Sequence, residues 1–197
     1  MSNPAEDNLL PLLWREFVRS ADNFADHPAV VTPAGEATFR QLLTGADAIA
    51  RQLSDAGVKP GRVVGHTFPN CIDFVVAFLA LCKLPAVTML VSTKYQAAEL
   101  SAIVGGTRPD YFLSTERQAK NLRDLLPSTA VTTTLEGSGR GPLVLFRLNA
   151  VDNGQAGTDW RQFGDNPSDH PALIKFTSGS TGVPKGILLS AGNVLAE

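Results

Sequence analysis

Cysteine is nearly absent from this chain, with Cys71 and Cys82 the two examples among 197 residues, and histidine occurs three times. Two cysteines cannot build a disulfide framework, and these two fall in one apolar segment that reads as a helix. Eleven helical residues rise about 16 Å, whereas a disulfide needs Cα atoms within roughly 7 Å. They are therefore expected to be small buried thiols. His27 and His170 both sit in Asp-His-Pro turns and His66 in a strand-like run, so no His/Cys cluster has metal-ligand spacing. An excess of positive charge is also missing: 17 Lys and Arg face 19 Asp and Glu, for a net charge of −2. That excludes the basic field of a nucleic-acid binder. Long apolar runs are lacking too. Cys71 to Val91 is interrupted by Asp73, Lys83 and Pro85, and its clean part, Phe74 to Cys82, falls far short of the roughly 20 residues of a membrane span. Met1 to Leu13 carries Glu6 and Asp7 ahead of its leucines, the opposite of a secretory leader. A cytoplasmic protein is expected.

What is present is ordinary globular material, 44% hydrophobic and 18% charged. Phe39, Leu42, Leu43, Ala46, Ile49, Ala50 and Leu53 follow the 3.6-residue stripe of an amphipathic helix. Thr38 with Gln41 predicts a capping box at its start, and Gly57 its stop. Arg62 to Thr67 reads as a buried strand. Asn70 is the candidate cap of the next helix, which is apolar nearly all round and ends at Pro85. Ala86 to Val91 is a strand, and Tyr95 to Val104 a helix closed by Gly105 and Gly106. Asp110 to Leu113 is a strand, and Thr115 with Gln118 opens a helix that ends at Pro127. Alternation of strands with helices of ten to fifteen residues predicts a parallel α/β sheet. Ser128 to Thr134 and Leu143 to Leu148 are further candidate strands around a Gly-rich turn. Asp152 to Pro171 reads as a long polar surface connection, with Trp160 its packing anchor. Residues 1–171 thus form an α/β subdomain, and 172–197 a strand, a loop and the start of the next subdomain. Trp14, Phe17 and Val18 read as docking contacts of a first helix. Arg117, Lys120 and Arg123 read as a solvated face.

The most informative segment follows the strand Ala172 to Phe176. Thr177, Ser178, Gly179, Ser180, Thr181, Gly182, Val183, Pro184, Lys185 and Gly186 lead into a second strand, Ile187 to Leu189, and then a helix beginning at Ser190. Four hydroxyls donate hydrogen bonds, three glycines let backbone amides approach a ligand, one lysine adds a full charge, and no carboxylate is near. That inventory suits a polyphosphate, and a strand's carboxyl end in a parallel sheet is where ligands bind. The loop is not a Walker motif, in which Gly-Lys-Ser/Thr opens a helix. Its other reading, a plain Gly/Ser turn or linker, remains open on residue chemistry alone.

The run Phe176 to Gly186, followed by Leu189, Ser190 and Asn193, resembles the phosphate-loop signature of the adenylate-forming enzyme superfamily. That superfamily includes acyl- and aryl-CoA synthetases, peptide-synthetase adenylation domains and luciferases. Thr38-Phe39, Gly57 to Gly61, Pro69-Asn70 and Phe74 to Lys83 resemble its upstream segments, so the resemblance covers about Leu12 to Glu197. It implies a layered αβα fold around a parallel sheet, truncated after the phosphate loop as the N-terminal part of a longer ligase. It also implies a reaction in which a small-molecule carboxylate attacks ATP to give an acyl-adenylate and pyrophosphate. CoA, or a carrier-protein phosphopantetheine, then takes the acyl group. Residue by residue, Thr177, Ser178, Ser180 and Thr181 would bond the phosphates. Gly179, Gly182 and Gly186 would shape the loop, and Lys185 would act as the catalytic cation. ATP, Mg²⁺ and CoA are the implied cofactors, with the main sites of the last two outside this chain. No nucleic acid and no membrane span are expected. The chain departs from the family pattern at Ala191, where a histidine is common, at Lys83-Leu84-Pro85-Ala86, and at Arg62, where aspartate is usual.

Overall fold

The structure is a computed structural model and describes residues 11–126, 130–137, 141–148, 166–177 and 184–196. A first helix, α1 (Leu12–Phe24), leads into a hairpin of β1 (Pro28–Thr32) and β2 (Gly35–Thr38). The chain continues through α2 (Phe39–Asp55), β3 (Val63–Thr67), α3 (Ile72–Lys83), β4 (Val87–Leu90), α4 (Ala97–Thr107), β5 (Tyr111–Thr115) and α5 (Glu116–Arg123). Strands β6 (Val131–Leu135) and β7 (Leu143–Arg147), then β8 (Pro171–Thr177), β9 (Lys185–Ser190) and α6 (Ala191–Ala196), complete it. Seven strands form one sheet in the order β6-β7-β5-β3-β4-β8-β9. Its four central strands are mutually parallel, with Val64 opposite both Thr88 and Tyr111, and Thr88 opposite Leu173. The parallel sheet read from the sequence is therefore correct at the centre. Both margins are antiparallel, because β6–β7 and β8–β9 return directly rather than through a crossover helix.

Alternation along the strands divides the core into two layers. Val64, Tyr111, Leu113 and Leu145 pack beneath α1, α2 and α3 with Ile49, Leu53 and Leu81. Met89, Phe112, Val144 and Phe146 pack on the other face with Leu100, Ile103, Ala119 and Leu122 from α4 and α5. This is the expected αβα arrangement, and each fully buried aliphatic contributes about 1.5–3 kcal/mol of transfer free energy. Trp14 is buried, with Phe17 and Val18 packed against the same layer, so α1 docks as expected. Arg117, Lys120 and Arg123 are exposed.

The capping box of α2 is present. Gln41 N donates to Thr38 Oγ1 at 3.2 Å, and Thr38 N donates to Gln41 Oε1 at 2.9 Å. Gly57, at φ 94°, follows the helix end. Arg62, one of the departures from the family pattern, has a local role. It pairs with Asp110 at 2.9 Å while the same carboxylate accepts from Val63 N at 2.8 Å, clamping the start of β3 to β5. Lys83 reaches Asp47 at 2.6 Å and lies 5.1 Å over the Trp14 ring, tying the end of α3 to α2 and α1.

Three boundaries differ from the sequence reading. Cys71, not Asn70, occupies the cap position of α3, without a side-chain cap bond. The helix is held by burial on nearly every side, so it does not depend on a cap. Gly105 and Gly106 lie inside α4, and the left-handed residue after it is Arg108 at φ 46°. Each glycine costs only about 1 kcal/mol in a helix, whereas Pro109 disfavours helical geometry at the residue before it. Helix α5 stops at Arg123, short of Pro127, and only the Thr115 half of its capping box forms, with Gln118 N donating to Thr115 Oγ1 at 3.3 Å. The β1–β2 hairpin was not read from the sequence. Residues 149–165, including Trp160 and most of the polar connection, lie outside the described residues.

Candidate functional site

Because β3, β4 and β8 run in parallel, their carboxyl ends reach one edge of the sheet, where Thr67, Leu90 and Thr177 end the strands. The hydroxyl- and glycine-rich segment leaves from Thr177 and returns at Lys185. Those two residues are register partners across the β8–β9 pair, so the hairpin root pins both ends of the loop. Thr177 and Lys185 are both exposed there. Gly186 pairs with Phe176, and a Cβ on it would lie 3.2 Å from that half-buried ring, a tight contact to which the ring would have to yield. The structure thus brings Thr177, Lys185 and Gly186 together. Ser178, Gly179, Ser180, Thr181 and Gly182 lie outside the described residues. Past β9, Ser190 Oγ accepts from Asn193 N at 3.2 Å, while Asn193 Oδ1 accepts from Ser190 N at 3.1 Å, fixing the start of α6. Ala191, in place of the family's common histidine, is buried.

A cleft of about 540 Å³ opens at the same edge. It lies between the end of β3, the segment after β4 and the last residues of β8. Lys94 and Lys175 line it, with Ser92, Thr93 and Tyr95 on the segment after β4. Phe176, the residue before the loop, is also part of the wall. Sequence reasoning missed this cleft. Only one segment of it carried a signal in the sequence, Ser92-Thr93-Lys94, which follows a parallel strand with the same hydroxyl-and-cation chemistry that drew notice after β8.

His66 is the buried polar group of the cleft wall, with no exposed surface. Its Nε2 lies 3.1 Å from the Phe74 carbonyl oxygen. Its ring lies tilted beside Phe68, centroids 4.5 Å apart, and meets Phe74 edge-on at 4.6 Å. Burial pushes its pKa down to about 4, only partly offset by the bond to Phe74, so the imidazole is neutral near pH 7. A neutral ring that donates from Nε2 carries a lone pair on Nδ1, and that atom has no partner among the described residues.

Cys82 offers no nucleophile here. Cys82 is buried and its thiol is pushed up to about 12 by that burial, and Cys71 is free and half-buried. Among the described residues no three His, Cys, Asp or Glu side chains converge as a metal site. No helix among them is long and apolar enough to cross a membrane.

The root of the hairpin, Thr177 with Lys185, and the adjoining cleft therefore share one edge of the sheet. Comparison with known proteins bears on their role. The sequence is 33% identical over 153 residues to an oxalate–CoA ligase of Arabidopsis thaliana, covering 76% of this chain and 29% of that protein. It is 29% identical over 185 residues to the nonribosomal peptide synthetase anaPS of Neosartorya fischeri, covering 91% of this chain and 7% of that protein. The chain thus spans less than a third of either relative. Its fold matches the N-terminal subdomain of Klebsiella oxytoca NpsA, solved in complex with 3-hydroxybenzoyl-AMSN. That match has a TM-score of 0.61 at 20% identity, over 91% of this chain and 41% of that one. The AMP-binding enzyme family matches over residues 17–197, which contain the whole parallel sheet and the hairpin loop, and the chain belongs to that family of adenylate-forming ligases.

Proposed function

We propose that this chain supplies the phosphate-binding part of an ATP-dependent carboxylate-activating ligase. The reaction is that of a carboxylate with ATP, giving an acyl-adenylate and pyrophosphate, followed by transfer of the acyl group to the thiol of CoA. The observation that carries the proposal is the hairpin root. Thr177 and Lys185 pair in register at the carboxyl edge of the parallel strands, so a loop rich in hydroxyls and glycines is presented there with a lysine at its exit. In this reading Thr177, Ser178, Ser180 and Thr181 donate to phosphate oxygens. Gly179 and Gly182 admit the backbone close to them, and Lys185 offsets charge that builds on the departing pyrophosphate. Fixed donors and a cation aimed at developing charge are the usual source of rate in phosphate chemistry. Among the described residues no three His, Cys, Asp or Glu side chains converge where Mg²⁺ could be held. By domain, 1–171 is the α/β subdomain and 172–197 begins the next.

A second reading is that of an adenylation domain that loads a carrier protein, favoured by the likeness to a peptide synthetase. A third, from another class, is a nucleotide-binding or interaction module without catalysis. The test is carboxylate-dependent exchange of labelled pyrophosphate into ATP by the protein that carries this segment, followed by addition of CoA. Exchange with thioester formation on CoA supports the first reading. Exchange without it supports the carrier reading, and no exchange across a broad carboxylate panel refutes both.

A further inference from the structure

The two outer strands of the seven-stranded sheet, β6 and β9, are finished differently. At β6 the exposed residues include a row of threonines, Thr132 to Thr134. Just past that strand, Gln52 Nε2 donates to the Glu136 carbonyl at 3.0 Å and Glu136 N donates to Gln52 Oε1 at 2.7 Å. One side-chain amide thus stands in for a further strand. At β9 no such closure occurs among the described residues. Lys185, Gly186, Ile187 and Leu188 are all exposed. Helix α6 turns back from the strand, with Ala191 N donating to His170 O at 2.9 Å and Gly192 lying against Ser168. Of the six large apolar side chains exposed among the described residues, three, Ile187, Leu188 and Leu195, fall on β9 and α6. Ile187 and Leu188 point to opposite faces, so apolar surface borders the open backbone edge on both sides. Native proteins blunt such edges with charge, proline or a cover, and β9 past Lys185 has neither charge nor proline.

We propose that this edge is the interface of a two-fold dimer, in which β9 pairs antiparallel with the β9 of a second copy of this chain. The strand is self-complementary in that arrangement. With the axis through Leu188, that residue faces the partner's Leu188, Ile187 faces the partner's Leu189, and Gly186 faces the partner's Ser190. Each pair shares one face of the sheet, as an antiparallel ladder about an axis normal to the sheet requires. This is the longest self-pairing of β9 that keeps charge out of the ladder, because Lys185 falls beyond the partner's Ser190. The two Lys185 residues lie about 20 Å apart along the new pair, roughly two Debye lengths at 0.1 M salt, so they do not oppose association. Both hairpin loops leave from the outer ends of the pair and stay open.

The test is analytical ultracentrifugation of the 197-residue chain over a range of concentrations. A single strand pair is at the small end of specific interfaces, so a dissociation constant on the order of 10–100 µM is expected. Leu188→Lys and Leu188→Glu each set like charges opposite one another on the axis, and each should weaken association at least about ten-fold. An equimolar mixture of the two variants should recover it, since opposite charges then meet. Ile187→Lys, on the other face, should also weaken it, and Val131→Lys on β6 should not. Circular dichroism and urea midpoints check that each variant keeps the fold, as expected for side chains about half exposed. A wild type still monomeric at about 1 mM, ten times the weakest constant expected, would overturn the proposal and leave the edge to a different strand. Association indifferent to both Leu188 variants, no recovery on mixing, or loss of association in Val131→Lys would overturn it as well.

Discussion

Lowering the pH should destabilise the fold through one residue, His66. In the native chain its pKa is held near 4 by burial, against 6.5 for an ordinary histidine. The unfolded chain therefore takes up a proton on this residue between pH 6.5 and 4 while the native chain does not. Stability is complete above pH 6.5 and is lost as pH falls through this window. The total loss is about 3 kcal/mol, and the linkage relation gives about 2 kcal/mol already at pH 5. A domain of ordinary stability, on the order of 5–15 kcal/mol, would show this plainly. Urea unfolding of the wild-type chain and of His66→Phe, at pH 7 and pH 5, isolates the contribution. Phenylalanine keeps a ring between Phe68 and Phe74 but cannot titrate. The wild type should lose about 2 kcal/mol more than the variant between the two pH values. An equal loss in both chains would show that His66 is not the buried neutral imidazole described here.

Two further substitutions test the packing that positions the site. Gly65→Ala would place a Cβ 2.6 Å from two atoms of the buried Phe112 ring. It should cost about 1–3 kcal/mol in urea unfolding, and combining it with Phe112→Leu should cost less than the sum of the two singles. Thr38→Ala removes one arm of the α2 capping box and should lower stability by about 1 kcal/mol, read as a fall in the urea midpoint without a change in slope.

Periodicity made most of this fold legible. The 3.6-residue stripe of α2, its Thr38–Gln41 box and the buried α3 were all readable because local chemistry and tertiary burial agree there. Where one interaction outweighed another, the sequence misled. Pro109 rather than the glycine pair ends α4, and burial rather than Asn70 starts α3. The direction of the marginal strands could not be read, since a strand pattern does not state which neighbour it will join. The hairpin loop was legible because its signal is contiguous. The cleft was not, because His66, Ser92 to Tyr95 and Lys175 are separated in sequence and meet only through the parallel order β3-β4-β8.

The central claim is that Lys185 and the hydroxyls around it form a phosphate site. Its most direct test is isothermal titration of Mg²⁺-ATP into the 197-residue chain and into Lys185→Ala. Binding by the wild type that weakens by at least about ten-fold in the variant is predicted, in keeping with the loss of a charge-assisted contact. Equal binding by the two chains would contradict the account.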